Sequence, residues 1–483
     1  MRARVFGEGA VALGAIAATG ALAVAVGTRP GVAFALLVAG LAVATVGAHV
    51  LVVRTTGDSL SLLSMAAGFY FAAFVVGGIF LWFKPAPADF MPVFSRGSIV
   101  SAVIVALVGW VLFVTGYRLG LFRPLQQILP PFPDASGARV PVVVTLLVFG
   151  WGARASEFAG GTYFHDSLHA TSRNGASWFL DALADLPLVA LAYVAAIAYG
   201  ARTPGRRAAL VLLAAVELAW AVPTGSKFRV VSIAVILLVV RYYATRKLPS
   251  IYTSLALLGV VIFVLFPFAR DYRSMNYQTS PKLALSVAAR DTLDRGVMGN
   301  VDVGFASLGR ISDLAAIARI IYVGRERLGL RPGETYLWSL QGVFPRAIYP
   351  DKADPGQFGN TFGRAFGFIS PSDYKTAIAA TQLGEFYLNG GWLALLLGLP
   401  LLGGLYRLLN DYLGSRWSDP GALAVYAVVA VKVLLSFENI VAIGIVGIVK
   451  STIFYTLILA LIPALFTLGR PLAQILPAPT GRP

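Results

Sequence analysis

Arginines carry most of the chemistry this sequence can offer. Arg270 and Arg273 bracket Asp271-Tyr272, and Arg290, Arg295, Arg310, Arg319, Arg325, Arg327 and Arg331 follow. Next come Phe344-Pro345-Arg346-Ala347-Ile348-Tyr349-Pro350-Asp351-Lys352, then Arg364 and Lys375. A guanidinium presents a rigid fork of donors that matches phosphate oxygens. Gathered at the headgroup level of a membrane, such a set would hold a lipid diphosphate. Taken singly, each arginine also reads as an anchor to anionic headgroups or as the partner of a nearby carboxylate.

A second cationic stretch is Pro223-Thr224-Gly225-Ser226-Lys227-Phe228-Arg229. Glycine and serine at a helix start can leave backbone N–H groups open to an anion, with Lys227 and Arg229 beside them. The plainer reading is a short turn whose two cations reach out to the interface. Glu385 lies in Thr381-Gln382-Leu383-Gly384-Glu385-Phe386-Tyr387-Leu388-Asn389-Gly390-Gly391, beside an apolar block. An acid at the membrane edge needs a partner. It would serve as a general base, as the group that orients an arginine, or as one half of a plain salt bridge. Lys432, Glu438 and Lys450 stand in or beside the last apolar blocks and read as mutually paired or snorkelling.

Several chemistries are excluded. The chain has no cysteine, so it has no disulfide and no thiolate nucleophile or ligand. Its three histidines are His49, His165 and His169; the last two share a stretch with Arg154, Glu157, Asp166 and Arg173, too few ligands for a metal site. No metal and no cofactor are expected. No phosphate-binding Walker loop, nucleophile elbow or HExxH motif occurs. The Thr28-Arg29-Pro30 connection lacks the acidic pair that many polyprenyl-phosphate-dependent glycosyltransferases place in their first outer loop.

The elements that must position these residues are membrane spans. Of 483 residues, 57% are hydrophobic and 13% charged, against about 25% charged in a soluble domain. The apolar residues fall in blocks long enough for a helix to cross ~30 Å of hydrocarbon. We therefore expect an all-α polytopic membrane protein of about 12 spans. These lie near 8–27, 31–53, 60–83, 97–117, 139–153, 178–199, 208–222, 230–245, 251–269, 391–409, 420–436 and 440–468. The segment after Met1-Arg2-Ala3-Arg4 is read as the first span rather than a cleaved signal. Arg54, Arg118, Arg123, Arg139, Arg202, Arg206, Arg207, Arg241, Arg246, Lys247, Arg407 and Arg416 crowd one set of connections, which places both termini in the cytoplasm. The formal net charge of +16 follows this bias rather than implying nucleic acid. Three regions result: a bundle over 1–269, a large extracytoplasmic loop over 270–390, and spans 10–12 with a cytoplasmic tail over 391–483. Within the loop, Ser280-Pro281 predicts a helix over 281–294. Phe305, Leu308, Ile311, Ala315 and Ala318 form a helical stripe in 301–323, and a further helix is expected over about 376–388.

The chain resembles the O-antigen polymerase family (Wzy-type oligosaccharide repeat-unit polymerases). The likeness rests on Gly225-Ser226-Lys227-Phe228-Arg229 opening a span, on Pro345-Arg346 to Pro350-Asp351-Lys352 within a large outer loop, and on Thr381 to Gly391 entering a late span. It covers mainly residues 220–410. It implies an inner-membrane enzyme that joins undecaprenyl-diphosphate-linked oligosaccharides into O-antigen, capsule or exopolysaccharide, with membrane lipids and a chain-length-regulating co-polymerase as its partners. In that reading Arg346, Glu385 and Arg270 are catalytic. Arg273 and Lys352 hold the donor diphosphate, Lys227 and Arg229 the second lipid's phosphates, and Arg364, Arg310 and Arg154 complete the substrate-binding set. Rival readings are an O-antigen ligase, disfavoured because 270–390 has no histidine, and a peptidoglycan-type glycosyltransferase using Asp313 or Asp351. A different class is a lipid-linked oligosaccharide flippase, which would show repeats and a charged central cavity.

Overall fold

The apolar blocks fold as helices, and no strand occurs among the described residues. The computed structural model describes residues 29–83, 94–134, 139–159, 177–201, 203–276, 281–308, 313–329, 332–344, 349, 357–374 and 376–468. The chain is an all-α polytopic membrane protein: among these residues ten helices are long and apolar enough to cross a bilayer. The first seven long helices are α1 (Pro30–Thr56), α2 (Leu62–Phe83), α3 (Arg96–Leu119), α4 (Arg139–Ala159), α5 (Leu186–Ala201), α6 (Pro204–Ala221) and α7 (Lys227–Thr245). Helix α8 covers 251–276. The loop region adds α9 (Pro281–Asp294), α10 (Gly296–Leu308), α11 (Leu314–Val323), α12 (Glu334–Val343) and α13 (Phe358–Ala365). Last come α14 (Gln382–Gly414), α15 (Pro420–Ser436) and α16 (Val441–Leu468). Every expected span from 31–53 onward falls on helix, but 420–436 is shorter than the ten, and 178–199 begins in a separate helix, Ser177–Ala184, that precedes α5. The expected span 8–27 lies outside the described residues, as do His165, Asp166, His169 and Arg173.

Local chemistry sets the boundaries. Ser61 and Ser95 accept hydrogen bonds from the N–H groups of Ser64 and Ser98, and Asp419 accepts from Ala422, so each caps a helix N-terminus. Proline opens α1, α6 and α15, where its missing N–H costs nothing. Helix α15 is apolar on every side except at Lys432, as a largely enclosed helix must be. Ala422, Ala424 to Ala427, Val429, Ala430 and Val433 have no exposed surface, and α5, α7, α14 and α16 surround it.

The segment expected as an outer loop does not simply sit above the bundle. Helix α9 starts at Pro281, as predicted, and packs on the end of α8 through Tyr272, Ala284 and Ala288. Asp271 and Arg295 form an ion pair there. Helix α10 then lies along the middle of α8: a Cβ on Gly304 would come within 2.7 Å of the Ile262 carbonyl. The single stripe expected over 301–323 is divided between α10 and α11. Helix α11 is buried against α3, with Leu314, Ile317, Ala318 and Ile320 fully enclosed.

The helix expected over about 376–388 begins only at Gln382, because Thr381 adopts φ 66° and ψ 155°. A β-branched residue in that region is strained. Two bonds hold it: Thr381 N–H donates to the Glu438 carbonyl and Gln382 N–H to that of Phe437. Helix α14 is two helices, 382–389 and 392–414, broken at Gly390 and Gly391. The first folds back along the second. The Phe386 ring fills the space over Gly398, and Leu383 and Leu399 both close on Gly109 of α3. The 382–389 half-helix thus rises beside the full span instead of leading straight into it.

Candidate functional site

Three helices start close together inside the bundle: α11 at Leu314, the half-helix at Gln382 and α16 at Val441. Phe437, between α15 and α16, sets the depth. It packs on Tyr70 (5.7 Å), Phe113 (5.9 Å) and Tyr406 (5.5 Å), which lie well inside α2, α3 and α14. Helix N-termini carry partial positive charge, and acids gather at these three. Glu385 has no exposed surface, and its Oε2 accepts the Val441 N–H at 2.5 Å, capping α16. Asp313 occupies the N-cap position of α11 without a side-chain bond to the helix start, and it interacts electrostatically with Glu438. Among the described residues, Glu385 Oε1, Asp313 Oδ2 and the Tyr336 hydroxyl have no hydrogen-bond partner. Each such buried atom costs about 1–3 kcal/mol unless water satisfies it.

Sequence reasoning placed Glu385 at the membrane edge. It is instead enclosed, on the first turn of the half-helix. Among the described residues it forms no ion pair with an arginine; its partners are a helix N-terminus and the neighbouring Thr335. Asn389, one turn further on, ties this half-helix to the start of α12. Its Nδ2 donates to Thr335 Oγ1 (2.7 Å) and its Oδ1 accepts the Gly333 N–H (3.0 Å).

The other end of the half-helix meets arginines. The Arg325 guanidinium lies against Gly391 at the break, where carbonyls of a finished helix attract a cation. Arg319 Nε donates to the Phe366 carbonyl (2.8 Å) and Arg327 Nε to that of Ala365 (3.2 Å). Both therefore stand at the end of α13, and Arg319 feels the charge of Arg327. Arg364, on α13 itself, donates to Asn360 Oδ1 (2.9 Å) and lies 4.3 Å over the Tyr374 ring. Sequence alone does not set Arg319, Arg325 and Arg327 apart from the other arginines of this stretch. Gly390-Gly391 was the available signal, because a paired glycine break invites a cation to the exposed helix end.

A second cationic group forms from two stretches that the sequence kept apart. The Tyr272 hydroxyl donates to the Pro223 carbonyl at 2.6 Å. This joins the Arg270–Arg273 end of α8 to the turn that carries Lys227 and Arg229. Arg270 and Arg229 are exposed. The anion nest expected in that turn is partly closed: Gly225 N–H donates to the Val222 carbonyl and Ser226 N–H to Thr224 Oγ1. Arg310, Arg346 and Lys352, and the side chains of Lys227 and Arg273, lie outside the described residues.

Arg154 faces inward. It bonds Glu217 (2.8 Å) and the Ala184 carbonyl (2.7 Å), while the Trp151 indole N–H holds the other Glu217 oxygen (3.0 Å). The guanidinium is thereby tied into the bundle rather than offered to a substrate. Lys432 pairs with Asp185 at 2.6 Å, with the Tyr455 hydroxyl 3.3 Å from the same oxygen. The two side chains keep 28% and 35% exposure. Ionisable residues inside apolar helices are the signal that could have marked Glu217 and Asp185.

Comparison with family models, with curated proteins and with solved structures gave no match to this chain.

Proposed function

We propose that this protein is a membrane glycosyltransferase that joins undecaprenyl-diphosphate-linked oligosaccharide units into a surface polysaccharide. The observation that carries the reading is the placing of three arginines where α11, α13 and α14 meet, Arg325 at the break in α14 and Arg319 and Arg327 at the end of α13. In the reaction an acceptor sugar hydroxyl attacks the donor's anomeric carbon. The new C–O bond forms as the bond to diphosphate breaks; the electron pair leaves with the diphosphate, and the hydroxyl proton passes to a base or to solvent. Negative charge builds on the leaving group, and fixed guanidinium groups stabilise it most at the transition state. The donor is already activated, which accords with the lack of a nucleotide-binding motif.

Two cationic groups suit two lipid-linked substrates. The Arg319–Arg325–Arg327 group would hold the donor diphosphate, with Arg346 and Lys352 from the same outer segment. The Arg270, Arg273, Lys227 and Arg229 group would hold the second lipid. Glu385 acts here as a positioning residue: it is fully enclosed and locks the half-helix that ends against Arg325. The test is purified protein in liposomes with lipid-linked repeat units and no nucleotide, scored for a glycan ladder.

A second reading, a lipid-linked oligosaccharide transporter, is favoured by one observation. Broken helices and ion pairs within spans, Asp185–Lys432 above all, are common in transporters. Liposomes that translocate a labelled lipid-linked unit without lengthening it would select this reading over the first.

A further inference from the structure

At the far end of the bundle from the helix break, three helices finish around one cavity. These are α1 at Thr56, α7 at Thr245 and α14 at Gly414. The cavity measures about 380 Å³ and is lined by Asp58, Arg246, Asn410, Asp411, Ser415 and Trp417 among others. That volume lies in the range of about 300–1,000 Å³ typical of small-ligand sites.

Its walls are built rather than incidental. The Asp58 carboxylate is held by the Tyr243 hydroxyl (2.8 Å) and the Leu60 N–H (3.0 Å). Asn410 Oδ1 accepts the Leu62 N–H at 3.1 Å. Trp417 stacks on Tyr243 at 3.6 Å, and the Arg246 guanidinium lies 5.5 Å from the Tyr243 ring centre. Arg246 takes φ 56°, a conformation that side chains other than glycine rarely adopt.

The charges are of both signs, and Arg246 is close enough to Asp58 to act on its carboxylate. Helix C-termini present partial negative charge, and three of them meet here beside Asp58 and Asp411. Arg407 offsets Asp411 at 2.6 Å, which leaves Arg246 as the cation on the cavity wall. A ligand with an ammonium at one end and a phosphate at the other fits this arrangement. The cavity also opens where apolar spans end, at the level of lipid headgroups, beside an indole of the kind that favours that level.

We propose that this cavity binds the phosphoethanolamine headgroup of a membrane lipid. The ammonium sits between Asp58, Asp411 and the helix C-termini, and the phosphate sits on Arg246. The proposal is independent of the glycosyltransferase reading, because the two sites occupy opposite ends of the bundle.

The test is native mass spectrometry of the full chain in detergent with equimolar phosphatidylethanolamine, phosphatidylglycerol and phosphatidylcholine of matched chains. We expect phosphatidylethanolamine to be retained roughly tenfold over the others. Asp58→Asn and Arg246→Gly should each abolish that preference; glycine accepts the backbone of Arg246, so the second variant keeps the fold. Thermal melting confirms that each variant is folded. Adding soluble glycerophosphoethanolamine identifies the source: displacement assigns binding to the headgroup alone, and persistence assigns it to the whole lipid. Equal retention of all three lipids, or an unchanged preference in both folded variants, would overturn the proposal.

Discussion

The Arg325 guanidinium rests on Gly391, so closely that a Cβ there would lie 2.9 Å from Nη1. Gly391 also adopts φ 56° and ψ −136°, which only glycine reaches without strain. Gly391→Ala therefore adds backbone strain and displaces the arginine together. We expect a loss of about 1–3 kcal/mol, seen as a lower melting temperature in detergent. An unchanged melting temperature would mean that the helix reversal does not depend on this glycine.

Glu385 separates a structural role from a chemical one. Glutamine keeps an oxygen for the Val441 N–H, whereas alanine removes it and leaves the α16 start uncapped. Glu385→Ala should cost about 1–3 kcal/mol, and Glu385→Gln less than about 1. If the residue only positions the half-helix, the glutamine variant keeps its chain-extension rate within about tenfold. A general base would instead lose about 10²–10⁴-fold.

The Arg154–Glu217 pair is fully enclosed, so removing one partner strands a buried charge. Glu217→Ala is expected to cost about 3–5 kcal/mol, while Arg154→Met with Glu217→Leu costs less than that single change. Chemical or thermal denaturation of the three proteins checks the order. A single variant as stable as wild type would show that water reaches the site.

Asp58 gives a pH dependence of unusual sign. It lies between spans, and burial pushes its carboxyl above the ordinary carboxylate range, against the opposing pull of its Tyr243 hydrogen bond. The folded state then holds the proton more tightly than the unfolded state. Its contribution is fully present below the unfolded pKa and is lost as pH rises through the folded pKa. Asp58→Asn should therefore flatten the fall in melting temperature as pH rises out of the ordinary carboxylate range. An identical slope in the variant would refute this.

Much of the scaffold was legible because a membrane span is a simple pattern. Length and apolarity alone located α1 to α8 and α14 to α16, and Ser280-Pro281 located α9. What could not be read was direction. Periodicity shows that 382–389 is a helix but not that it turns back beside 392–414; that depends on two glycine dihedrals and on the Phe386 ring filling the gap over Gly398. The same limit hid the site. Arg319, Arg325 and Arg327 look like the other eight arginines of residues 270–364, and only the meeting of α11, α13 and α14 sets them apart. Arg154 shows the reverse case, since an arginine beside a loop reads as a ligand until Glu217 is found 63 residues away.

The most direct measurement compares glycan ladders made in liposomes by wild type and by Arg325→Ala, with lipid-linked repeat units as sole substrate. Circular dichroism establishes that the variant is folded. Loss of one transition-state donor predicts a ladder about 10²–10³-fold slower than that of wild type. A folded variant that extends chains at the wild-type rate, or a wild type that makes no ladder at all, would contradict the assignment of this arginine group to the departing diphosphate.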